Sequence, residues 1–139
     1  MKQLIFQLLV FSFAMSEAAE KRIWREDRIV WQRLEPDGTK YAVLDGDREL
    51  AGQPFSYAFW MPGGVWVKPH FHSQQAHVMV VKGKIRLGYG KVFDKTKTIE
   101  LKAGEFFIVR AGEAHFEGSD GECLIIGTAL GGWKTTELD

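Results

Sequence analysis

Turn-forming residues interrupt this chain at short intervals: Asp37-Gly38, Asp45-Gly46-Asp47, Pro62-Gly63-Gly64, Lys82-Gly83, Ala103-Gly104, Ala111-Gly112 and Asp120-Gly121. Glycine reaches backbone conformations that other residues avoid, and Asp and Pro favour tight turns, so each group ends an element before a helix can lengthen. No window beyond the N-terminal segment keeps a helical period long enough to predict a major helix. The runs between the turns predict strands over Tyr41 to Leu44, Phe55 to Met61, Val65 to Lys68, His77 to Lys82, Lys84 to Tyr89, Thr98 to Leu101, Phe106 to Val109, His115 to Glu117 and Cys123 to Ala129. Many short strands separated by turns imply an all-β sandwich or barrel.

Ten Phe and five Trp among 139 residues, 45% of them apolar, are enough to fill one core, and no linker, repeat or biased tract divides the chain. Lys plus Arg equals Asp plus Glu at 18 each, without a basic run, so there is no electrostatic footprint for nucleic acid. Cys123 is the only cysteine, which rules out an intramolecular disulfide. It stands before Leu124-Ile125-Ile126, where a cysteine acts as a small buried hydrophobe.

The first residues differ from the rest. Lys2 precedes an almost wholly apolar run from Leu4 to Met15, and small residues follow at Ser16 and Ala18. That order predicts a signal peptide over residues 1–18, a mature chain of 19–139, and a periplasmic or secreted location. The apolar run is short for a membrane span, so the mature form is expected to carry none. Residues 20–35, charged and holding Trp24 and Trp31, read as an arm packed on the barrel or swapped with a neighbour, which leaves room for a homodimer.

The chemistry concentrates in His70-Phe71-His72. Strand side chains alternate with period two, so these imidazoles share one face and can address one metal ion. Only two other histidines exist, His77 and His115. His115 follows the Ala111-Gly112 turn and is the candidate third ligand. His77 follows Ala76, and regular alternation turns it away from the interior; a bulge would instead bring His77 or Gln75 to the metal. Glu117, two residues after His115, falls on the same strand face as His115 and is the candidate catalytic carboxylate, as a ligand or a general base.

These residues carry a family resemblance. Gly64, His70, His72 and Gly83 fall at the spacing of the first cupin motif, and Gly104, Gly112 and His115 at that of the second, in the same order. The chain resembles the cupins, small jelly-roll barrels with a metal site in the mouth, and the likeness runs from Asp37-Gly38 to Gly131-Gly132-Trp133. Within that group it is similar to short cupins related to the cupin half of certain anti-sigma factors. The resemblance implies a divalent transition metal, Mn, Fe, Ni or Zn, held by His70, His72 and His115. There are departures: Ala76 stands where the family's Glu ligand would lie, and Arg110 and Ser119 replace the second motif's Pro and Asn.

Fold does not decide reaction, because this barrel hosts enzymes, storage proteins and sensors. One reading is a metal-dependent small-molecule enzyme of lyase, isomerase or dioxygenase type, with Glu117 moving the proton. The other is a non-catalytic exported cupin that captures or senses a small ligand or metal, which the loss of the carboxylate at Ala76 favours. Phe59, Trp60, Trp66, Phe71, Phe106, Phe107 and Phe116 are expected to divide between core and cavity and to favour an apolar or aromatic ligand. Arg110 is either a rim contact for an anion or a surface arginine.

Overall fold

The computed structural model describes residues 22–139. The expected signal segment and its cleavage point lie outside the described residues. Apart from one 3-10 turn at Glu26–Arg28, the regular structure among the described residues is all β. Ten strands follow in order: β1 Arg33–Leu34, β2 Lys40–Asp45, β3 Pro54–Met61, β4 Trp66–His72, β5 Ala76–Tyr89, β6 Ile99–Lys102, β7 Phe106–Val109, β8 His115–Gly118, β9 Cys123–Leu130 and β10 Thr135–Glu137.

All strand pairs are antiparallel, and two sheets curl toward each other as a jelly-roll barrel. One sheet runs β1-β2-β3-β9-β5 and ends on β7; the other runs β10-β4-β8-β5 and carries β6 beside β5. The strand β5 belongs to both: its first half pairs with β7 and β9, its second with β6 and β8. This corrects the expectation of two strands separated by a turn at Lys82-Gly83. The register against β9 shifts between Val80 and Lys82, a bulge that bends the strand from one sheet into the next without breaking it. Gly83 serves this bend, with φ +72° and a backbone so close to Glu122 that any Cβ would meet the Glu122 carbonyl oxygen.

Alternation sorts side chains as a half-buried strand requires. Along β5, Ala76, Val78 and Val80 are buried while His77, Met79 and Val81 are exposed. The inward set joins Phe55, Tyr57, Ile125, Ala129 and Trp133 in the main core cluster. Cys123 is also in that cluster, where burial pushes its thiol up to about 11, so it is an inert apolar filler.

Two strands were not predicted. Arg33–Leu34 and Thr135–Glu137 are short and exposed, without the apolar alternation that marks a half-buried strand. β1 puts the end of the 20–35 segment on the barrel by pairing with β2, and Glu26 ties to Lys82 at 2.7 Å. β10 adds to β4, pairing Thr135 with His72 and Glu137 with His70.

Candidate functional site

The histidine pair comes from β4 and the third imidazole from the neighbouring β8. Period two puts His70 and His72 on one face, and the register then places His70 directly opposite His115. That register depends on an irregularity between Val67 and His70, where Lys68 and Pro69 bulge out of the β4–β8 ladder. Pro69 has no N–H to give the ladder, so it fits at the bulge. The imidazole centroids of His70 and His115 are 4.2 Å apart, those of His70 and His72 4.9 Å, and those of His72 and His115 5.0 Å. One ring nitrogen from each of the three lies within 4.8 Å of the others.

Hydrogen bonds orient these rings. His70 Nδ1 lies 2.7 Å from the Lys68 carbonyl oxygen and His115 Nδ1 3.0 Å from that of Glu113. A carbonyl only accepts, so both Nδ1 atoms carry the proton and leave the Nε2 lone pairs available. His72 Nδ1 is 3.0 Å from the Thr135 hydroxyl, and its ring packs on Trp133 with centroids 4.2 Å apart. Burial, reinforced by His70, His115 and Arg48, pulls the His72 pKa down to about 2. Burial also lowers that of His115, against the opposing pull of Glu117. Converging imidazoles tethered through their far nitrogens form a donor set that fits a divalent transition metal.

Glu117 completes the group. Its Oε1 is 3.9 Å from His70 Nε2 and its Oε2 3.9 Å from His115 Nε2, with the side chain 13% exposed. The buried Oε2 has no hydrogen-bond partner among the described residues. The carboxylate therefore faces the imidazoles, as its place two residues after His115 predicts, and is not a solvated strand-end group.

The other expected residues lie elsewhere. His77 is exposed and meets the exposed Gln75 at 2.8 Å, so neither residue joins the histidine group. Ala76 is buried in the core cluster. Ser119 is buried with its hydroxyl against the carbonyls of Lys84 (2.7 Å) and Gly121, where it fastens the end of β8. Arg110 is exposed and does not line the cavity described below, so the rim role gives way to the surface one.

A cavity of about 800 Å³ opens beside His70, His72 and Glu117. Of the aromatic residues expected to line it, Phe59 and Trp66 do, whereas Phe116 is core and Phe106 is half exposed. Sequence reasoning missed Tyr41, Arg48, Tyr57 and Trp133, which also line it. Tyr57 was within reach, since it alternates with Phe55 and Phe59 on β3. Its ring lies across Gly127 of β9, where any side chain would collide with it. Burial, with Tyr41 and Glu117 nearby, pushes the Tyr57 phenol upward and keeps it protonated.

Comparison with known proteins agrees with this architecture. The cupin domain family matches residues 57–126, 70 of the 139 residues, from β3 to β9. Germin-like protein 9-3 of Oryza sativa subsp. japonica is 34% identical over 74 residues, 52% of this chain but only 35% of that protein's own length. Among solved structures, a conserved Klebsiella pneumoniae protein with a double-stranded β-helix domain superposes with TM-score 0.69 at 19% identity, covering 90% of this chain and 98% of its own. A recombinant oxalate oxidase in complex with glycolate superposes with TM-score 0.55 at 20% identity, covering 70% of this chain and 53% of its own. At such identities the structural likeness speaks for the fold, and together with the family match it shows that this chain belongs to the cupin family.

Proposed function

We propose that His70, His72 and His115 hold a divalent transition metal and that the protein is a metal-dependent enzyme acting on a small molecule. The observation that carries this reading is the position of Glu117, a carboxylate with each oxygen 3.9 Å from an imidazole Nε2 and one oxygen buried without a partner. When bound, a divalent ion supplies Lewis acidity and open coordination positions to a substrate oxygen. Glu117 takes a proton at a carboxylate oxygen and returns it, the work of a general base beside such a site. The Lys68 and Glu113 carbonyls fix the His70 and His115 tautomers, and Thr135 orients His72. Trp133 and Trp66 give apolar surface to the cavity wall.

Two neighbours point the same way: an oxalate oxidase shares the fold, and a germin-like protein shares part of the sequence. The second reading, a ligand- or metal-sensing cupin without catalysis, draws on Ala76, which leaves the family's own carboxylate position apolar.

Elemental analysis of protein purified without chelator tests the metal, with the His70→Ala/His72→Ala/His115→Ala variant as control. Equal metal content in both would end the assignment. Glu117→Gln separates the two readings: an enzyme loses roughly 100-fold or more in turnover, whereas a binding protein keeps its ligand and metal affinity. Export from the cell is part of the proposal and rests on the leader-like residues 1–18. N-terminal sequencing of protein from its native host should find the chain starting near Ala19.

A further inference from the structure

Three buried side-chain polar atoms have no hydrogen-bond partner among the described residues: Tyr41 Oη, Arg48 Nε and Glu117 Oε2. All three residues line the same cavity. Folded proteins leave few such atoms, because burying a polar group without a partner is costly. Three around one cavity leave unused hydrogen-bonding capacity in its lining.

Glu117 is explained by the histidines it faces; Tyr41 and Arg48 are not. The Arg48 guanidinium carbon lies over the Tyr41 ring, 5.3 Å from its centroid. The nearest carboxylate, Glu49 Oε1, is 3.8 Å from Arg48 Nε, beyond hydrogen-bond length, on a side chain 82% exposed, where water screens the attraction. The cavity's other arginine, Arg33, is committed to Glu35 at 2.6 Å. Arg48 is also held in place: its carbonyl accepts hydrogen bonds from the Gly132 and Trp133 amides at 2.9 and 3.3 Å. Trp133 in turn packs on His72, so this cation is built into the wall that adjoins the imidazoles. Burial raises the Tyr41 pKa against the opposing pull of the adjacent Arg48, which keeps its phenol a proton donor. A guanidinium on a pinned backbone, with a neutral phenol beside it, is the chemistry of a carboxylate clamp.

We propose that the cavity binds a small, flat organic carboxylate, with its carboxylate on Arg48 and Tyr41, its body between aromatic side chains such as Tyr57 and Phe59, and its far end toward Glu117. This names the substrate class for the proposed metal site and rests on that reading only for what happens at the far end. The apolar or aromatic ligand expected from composition thereby acquires a charged end.

The test is calorimetric titration of the full-length, chelator-treated protein with benzoate and sorbate, each beside its neutral amide, and with inorganic phosphate. Leaving the metal out ensures that a carboxylate preference reports on Arg48 and not on an ion. Each acid should bind at least about tenfold tighter than its amide, since a charge-assisted pair is worth that much. Arg48→Gln should erase that preference while changing amide affinity less than about twofold, and Tyr41→Phe should cut acid affinity several-fold. Should Arg48→Gln fail to fold, Tyr41→Phe and the acid–amide comparison in the unmodified protein decide the matter. Amides binding as tightly as acids, phosphate displacing benzoate at equal concentration, or an acid preference that survives Arg48→Gln would each overturn the proposal. Zinc titration of the unmodified protein and of the His70→Ala/His72→Ala/His115→Ala variant keeps the two proposals apart. Loss of zinc binding in the His→Ala variant with the acid preference intact supports both, whereas failure of the unmodified protein to bind metal removes the enzyme reading and leaves the carboxylate result standing.

Discussion

The two walls of the cavity are built on opposite principles. On the β4–β8 wall each histidine has a defined neighbour for Nδ1, two backbone carbonyls and one hydroxyl, so the ring nitrogens converge with little freedom. On the wall formed by β2, β3 and the segment around Arg48, Tyr41 Oη and Arg48 Nε are buried without partners among the described residues. The first wall is finished within the protein and suits a partner with fixed coordination demands. The second has unspent hydrogen-bonding capacity and suits a ligand that brings its own acceptors. One barrel can thus keep its histidine group while its ligand choice changes, by altering only the second wall.

The sharpest way to break this division is a crossed pair of substitutions. His72→Ala should weaken zinc binding by more than about 100-fold, because even losing a group behind a ligand costs 10–100-fold, and should leave carboxylate binding to metal-free protein nearly unchanged. Arg48→Gln should show the reverse pattern. If each substitution damages both properties equally, the walls are not separable and the comparison fails.

Next in size is Ala76→Glu. The family resemblance alone suggests that a carboxylate there would tighten metal binding. The structure changes that expectation, since Ala76 is 1% exposed in a cluster with Phe55, Val78 and Trp133. A carboxylate introduced among those side chains without a partner should destabilise the metal-free protein by about 3 kcal/mol, and added zinc should recover part of that loss if the new group reaches the ion. Thermal melts with and without zinc measure both quantities. A variant as stable as the parent without metal would mean that the core opens at this position more easily than its packing suggests.

The two walls also differ in how far the sequence announced them. The histidine wall was legible because it is made of period-two spacing: His70 with His72, and His115 with Glu117, share faces for the same geometric reason. Most strands were legible because buried and exposed residues alternate cleanly, as along β3 and β5. The single strand β5 was misread as two because Gly83 signals a turn as readily as a bulge, and only the pairing with β9 distinguishes them. Tyr41, Arg48 and Trp133 were not legible as site residues. Arg48 lies outside the strands, in a segment with no period, and so does Trp133, which packs on His72 while its amide meets the Arg48 carbonyl. Thr135 was missed with β10, since nothing local marks three exposed residues as a strand.

Thr135 gives a smaller, sharper test of the finished wall. Thr135→Val keeps the shape and β-branching but removes the hydroxyl 3.0 Å from His72 Nδ1. Zinc affinity should fall about tenfold, with the fold and carboxylate binding retained. No change would mean that packing on Trp133 alone sets the orientation of His72.

The smallest expected effect is the most direct measure of how the walls communicate. In the folded metal-free protein the His72 pKa is down at about 2 and that of His115 is also lowered, while in the unfolded chain both return toward 6.5. Between those values the unfolded state binds more protons than the folded one, so stability is complete above about pH 6.5 and is lost as pH falls below it, by at most about 1.4 kcal/mol per pH unit for each such histidine. Denaturant melts of metal-free protein between pH 7 and pH 5 should show this decline, and His72→Gln should flatten it by removing one of the two groups. Arg48 is the weakest of the influences that lower His72, behind burial, His70 and His115. Arg48→Gln should therefore soften the slope only slightly, by less than His72→Gln does. A slope that depends on Arg48 as strongly as on His72 would place the guanidinium in the histidine wall itself, and the division between a metal-holding side and a ligand-selecting side would have to be redrawn around it.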